Sequence, residues 1–136
     1  MEFNLYNHQN KQISLSGLKE IARSVWCAEQ KRNTKINVIF VSNDHICELN
    51  RQYLGKNNPT DVIAFPLSDD DDMFEGEIYI SVDQVFINSE VFGVTPGEEL
   101  RRVLVHGLLH FLGYEDKTPG DKKKMTEREN FFLNEM

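Results

Sequence analysis

His106 and His110 lie four residues apart in the segment HGLLHFLGYED, residues 106–116. In a helix that spacing puts both imidazoles on one face, one turn apart. Two such histidines can hold one metal ion, as helical zinc sites do. Gly113 is a helix stop, because glycine takes the left-handed backbone that ends helices. Asp116 follows three residues later with a carboxylate, and Glu115 lies beside it. Two imidazoles and one carboxylate, His106, His110 and Asp116, make a three-ligand set with a position open for water. A hydrolytic metal enzyme needs that arrangement. Gly107 costs about 1 kcal/mol against alanine inside a helix, so a packing or access reason is expected for it. Leu100, Leu104, Leu108, Phe111 and Leu112 form an apolar face, which predicts a mostly buried helix.

The elements around this helix follow in chain order. Glu2 to Tyr6 reads as a first strand. Ser16 caps a helix reaching about Gln30, with Leu18, Ile21, Ala22, Val25 and Trp26 at helical spacing. Lys35 to Val41 is β-branched and alternating, a strand. Asn43 caps a helix to about Tyr53, with Ile46, Leu49 and Asn50 inward. Residues 54–61 form a polar loop punctuated by glycine and proline. Asp61 to Phe65 is a short strand ended by Pro66, and Asp69 to Asp72 form a solvated hairpin tip. Glu77 to Ser81 is a strand, and Asp83 to Phe92 a helix closed by Gly93. Thr95 caps the histidine helix, with Pro96 at its first position and Glu98 and Glu99 in its first turn. A last helix runs from about Pro119 to Asn134, with Met125, Phe131 and Phe132 as buried candidates and three lysines, Lys122 to Lys124, near its start. The order β-α-β-α-β-β-α-α-α predicts an α+β fold. It is a single domain over residues 1–136, a small mixed sheet with helices packed on it.

Composition bounds the function. The 136 residues have a net charge of −7, which excludes a generally basic polyanion binder and leaves nucleic acid only a local patch. Cys27 and Cys47 have no motif spacing and read as buried free thiols in a reducing cytosol. No basic region followed by an apolar run opens the chain, so no signal peptide is expected, and no stretch approaches membrane-spanning length.

Three separated segments carry a resemblance: NPTDVIAFP at 58–66, GEIYIS at 76–81 and HGLLHFLGY at 106–114. In this order and spacing they resemble the YbeY family of bacterial rRNA-maturation endoribonucleases. The third segment is the most specific, with glycine where metallopeptidases carry a catalytic glutamate. The resemblance implies an α+β fold, one zinc ion, a cytoplasmic location, and a role with the small ribosomal subunit and its assembly factors. Single-stranded or ribosomal RNA is then the substrate, and neither DNA nor membrane is expected. Two positions depart from the family pattern. Asp116 stands where a third histidine is usual, and Leu54 stands where an arginine is usual. Arg51, one turn back, and Lys56, in the same loop, are the candidate replacements for that cation. Glu115 and Asp61 are the candidates for handling the proton. Arg102, Lys117 and Lys122 to Lys124 are candidates for backbone phosphates. A metallopeptidase and a non-catalytic zinc-binding assembly factor remain the rival readings at this stage.

Overall fold

The computed structural model describes residues 1–56 and 60–134. Its elements are β1 (Glu2–Asn7), α1 (Leu18–Glu29), β2 (Asn33–Val41), α2 (Asn43–Leu54), β3 (Val62–Asp69), β4 (Met73–Ser81), α3 (Val82–Phe92), α4 (Pro96–Phe111) and α5 (Pro119–Asn134). The expected element order and α+β class hold throughout. The sheet has the order β1-β2-β4-β3. β1, β2 and β4 run parallel, and β3 returns antiparallel as an edge strand beside β4.

Each strand alternates across the sheet, so the two faces build separate cores. One face presents Ile36, Val38 and Phe40 of β2 with Phe74, Ile78 and Ile80 of β4 to α1 and α4. The other places Ile39, Val41 and Ile63 against Ile46 of α2. The histidine helix is therefore seated directly on the sheet. Leu100, Leu104 and Leu108 are buried as expected, and Phe111 and Leu112 are partly buried. Gly107 has the expected packing reason: a Cβ there would meet Cγ2 of Ile78 and Cγ2 of Val62, each at 3.2 Å. The glycine lets the helix backbone approach β3 and β4.

Several local expectations need correction. Gly17, not Ser16, precedes α1, and no side chain caps it. Ser42 caps α2 by accepting from the His45 N–H, while Asn43 is already helical. Pro66 does not end β3. The strand continues to Asp69, with an irregularity between Pro66 and Ser68. An edge strand tolerates proline because its missing N–H can face away from the ladder. β4 likewise starts at Met73 rather than Glu77. Phe131 is exposed, under the Arg128 guanidinium, and Phe132 is buried. Cys27 is exposed and Cys47 only partly buried. Arg32, just before β2, pairs with Asp69 at the end of β3. At the acidic tip the Asp70 carboxylate accepts the N–H groups of Asp72 and Met73. Part of the 54–61 loop lies outside the described residues.

Candidate metal centre

The capping expected for α4 is present in full. Thr95 Oγ1 accepts from the Glu98 N–H, and Glu98 accepts from the Thr95 N–H, a capping box with Pro96 at the helix start. The other end is closed by Gly113 at φ 99°. The Gly113 N–H reaches the His110 carbonyl at 3.1 Å, and the Tyr114 N–H reaches the Leu109 carbonyl at 3.0 Å. This paired closure is a Schellman motif. It reverses the chain and carries Asp116 back to the histidine face.

The three side chains converge. Nε2 of His106 and Nε2 of His110 are 3.1 Å apart. Asp116 Oδ2 lies 3.4 Å from the first and 3.6 Å from the second. Zinc bonds of about 2.0–2.1 Å at tetrahedral angles set donor atoms about 3.3 Å apart. The donor set therefore fits one ion of that size, and His106, His110 and Asp116 can hold it.

Sequence reasoning missed the group behind His106. Glu129 of α5 has its Oε2 2.6 Å from His106 Nδ1 and is only 6% exposed. By accepting a hydrogen bond from the Nδ1–H, Glu129 fixes the tautomer that leaves Nε2 free to ligate. Glu129 is itself held by Arg102 at 2.9 Å, and Arg102 also donates to Asn130 at 2.8 Å. Arg102 is thus engaged within the fold rather than offered to phosphate. Burial, the largest single influence, pushes the His106 imidazole down, but the hydrogen bond and charge of Glu129, together with the charges of Asp61 and Asp116, leave His106 above its ordinary value. His110 is pushed below its ordinary value, first by burial and then by the His106 charge.

A cleft of about 300 Å³ opens beside this centre, lined by Asp61, Glu99, Arg102, His106, Asp116, Lys122 and Glu129 among others. Asp61 sits just before β3, where its carbonyl accepts from the Ser81 N–H at 2.9 Å. Its carboxyl is raised above the usual range by burial, against the opposing charge of His106. Glu98 caps the helix, whereas Glu99 turns inward. Glu99 is buried, and its carboxyl is raised by burial and by the nearby Asp61 charge. Asn88 of α3 serves both acids, donating to Asp61 at 3.5 Å and bonding Glu99.

The remaining candidates stand apart from this cleft. Glu115 is exposed and lines a neighbouring hollow with His110 and Asp116. Arg51 is exposed and paired with Glu48, and Lys56 is exposed just beyond the end of α2. Neither cation is among the residues lining the cleft. Leu54, the last residue of α2, is also exposed.

A helix-borne histidine pair, closed by a carboxylate and seated on a mixed sheet, defines an α+β protein with a candidate single-ion metal centre. The family model described as Endoribonuclease YbeY matches residues 4–136. An Endoribonuclease YbeY from Parabacteroides distasonis is 40% identical, over 87% of this chain and 86% of that protein. One from Acholeplasma laidlawii is 35% identical, over 98% and 96%. The solution structure of TM1509 from Thermotoga maritima superposes with a TM-score of 0.70 at 34% identity, covering 98% of this chain and 87% of that one. The chain belongs to the YbeY family. Among the described residues no helix is long and apolar enough to cross a membrane.

Proposed function

We propose that this chain, as one domain over residues 1–136, is a zinc-dependent endoribonuclease. It cuts single-stranded RNA during small-subunit rRNA maturation and quality control, in the cytoplasm, beside ribosomal assembly factors. His106, His110 and Asp116 hold the ion. The observation carrying this reading is the donor triangle of 3.1, 3.4 and 3.6 Å, braced through His106 by a buried carboxylate. The names of the relatives supply the substrate class.

A bound divalent ion supplies Lewis acidity toward a phosphoryl oxygen. The protein's own groups do the rest. Asp61 accepts the proton of the attacking hydroxyl, whether from water or from the RNA 2′ position. Its raised carboxyl and its place in the cleft suit that role better than exposed Glu115. Lys122 lines the cleft with Asp116 and is placed to receive phosphate charge, ahead of Arg51 or Lys56. Gly107 faces Ile78 and Val62 and offers no carboxylate, so the proton chemistry of helical metallopeptidases has no counterpart there. A second reading, a non-catalytic assembly factor, is favoured by one observation: Arg102, the arginine lining the cleft, is already bound to Glu129 and Asn130.

Single-turnover cleavage of a short single-stranded RNA by zinc-loaded protein separates the two. Asp61→Asn is expected to slow the rate about a hundredfold or more, and His106→Ala to abolish it. Equal rates for wild type and His106→Ala would leave the assembly-factor reading. Metal analysis of protein purified without chelators or a histidine tag identifies the ion.

A further inference from the structure

The cleft continues past the metal centre. It opens into a second hollow of about 670 Å³ between the first half of α4 and the second half of α5. Phe92, Glu99, Arg102, Thr126 and Glu129 line both spaces, so they form one groove. The two parts differ in character. The part beside the centre has Lys122 and Asp116 among its lining residues. The far part sets Glu98, Glu99 and Glu129 against Arg101 and Arg102, and adds the apolar Val94 and Leu133. It has no excess of positive charge, and Arg102 is already shared by two partners. Such a lining disfavours a phosphate and accepts an uncharged flat ring.

Phe92 stands at the junction. It is the last residue of α3, and it is 63% exposed. Among the described residues it stacks on no other ring. It is also the only aromatic residue among those lining either space. An aromatic face open to a groove that leads from a cleavage site is the arrangement that stacks bases of single-stranded nucleic acid.

We propose that Phe92 is a base-stacking platform, on which a nucleobase flanking the scissile phosphate lies while the backbone passes on the Lys122 side. The inference rests on the nuclease reading above. It makes Phe92 a residue that selects unpaired RNA, because a base held in a duplex cannot reach its ring.

The test is single-turnover cleavage of a short RNA by wild type, Phe92→Ala, Phe92→Leu and Phe92→Trp, with His106→Ala as background. The same RNA is also made with an abasic nucleotide at each position flanking the cut. Phe92 is exposed, so the variants are expected to fold, which circular dichroism checks. Phe92→Ala is expected to raise the half-saturating enzyme concentration about ten- to a hundredfold, more than it changes the plateau rate. Phe92→Trp should restore it, and Phe92→Leu should not. At one abasic position wild type and Phe92→Ala should coincide. Two losses that simply multiply at every position would overturn the platform, as would full rescue by leucine. Cleavage that needs His106 but ignores Phe92 would overturn the platform alone. It would leave Phe92, with exposed Ile87 and Val91, as part of a surface for a protein. Wild type no faster than His106→Ala would overturn the nuclease reading and the platform together.

Discussion

Replacing Glu129 by glutamine keeps the side chain's shape and removes its charge. In the folded protein Glu129 accepts from His106 Nδ1 at 2.6 Å and from Arg102 at 2.9 Å. Hydrogen bonds to charged groups are worth about 1.5–3 kcal/mol and neutral ones about 0.5–1.5. The difference, about 1–1.5 kcal/mol, applies to the His106 bond, since the bond from Arg102 stays charge-assisted through its guanidinium. Only the His106 bond acts directly on a metal ligand, so glutamine is expected to weaken zinc binding about tenfold. Alanine removes the acceptor altogether and should approach a hundredfold, the upper end for groups behind metal-bound histidines. Competition against chelators of graded strength at pH 8 measures this. The pH matters because Glu129, with the charges of Asp61 and Asp116, outweighs burial and leaves His106 above its ordinary value. A proton therefore competes with the ion more in wild type than in the variant at pH 6, which narrows the gap there. Unchanged zinc affinity at pH 8, in a variant that melts as wild type does, would refute the idea that Glu129 prepares His106.

Three other outcomes follow from the structure. Asp116→His is expected to keep the fold and tighten zinc binding in the same chelator assay, since imidazole is a better ligand for zinc than a single carboxylate oxygen. Gly107→Ala is expected to destabilise the fold in urea titration. The gain in helix propensity is about 1 kcal/mol, while forcing a methyl against fully buried Ile78 and against Val62 costs about 1–3 kcal/mol. Asp83 accepts from the Asn43 N–H at 2.7 Å, bolting α3 to the start of α2. That bond, with help from Lys11, holds its carboxyl below the usual range. Its contribution is present above the unfolded pKa and is lost as pH falls through the folded one. Melting curves recorded from about pH 6 to pH 3 should therefore fall more steeply for wild type than for Asp83→Asn.

The legible part of the site was the local part. His106, His110, Gly113 and Asp116 lie within eleven residues, and one helix with its closing turn sets their geometry. Asp61 lies 45 residues before His106, and the packing of β3 brings it into the cleft. Glu129 could not be read. It lies 23 residues after His106, on a helix whose polar sequence gave no reason to expect an inward carboxylate. Glu99 was hidden by its neighbour: two adjacent acids both suit a helix start, and only the packed helix shows which one turns inward. Pro66 misled because proline stops a central strand, whereas β3 is at the edge. Phe131 and Phe132 are adjacent on a helix, so they point in different directions, and the pattern of α5 was too weak to choose between them.

That weakness of α5 bears on timing. Met125, Glu129 and Phe132 are its buried residues, whereas α4 buries eight. Hydrogen exchange should therefore find the amides of α5 opening at lower free energy than those of α4, since segments with few buried apolar contacts open first. When α5 lifts, His106 loses its acceptor while the ligand helix stays fixed to the sheet. An ion held by His106, His110 and Asp116 would then leave at a rate gated by the breathing of a helix that contributes none of them.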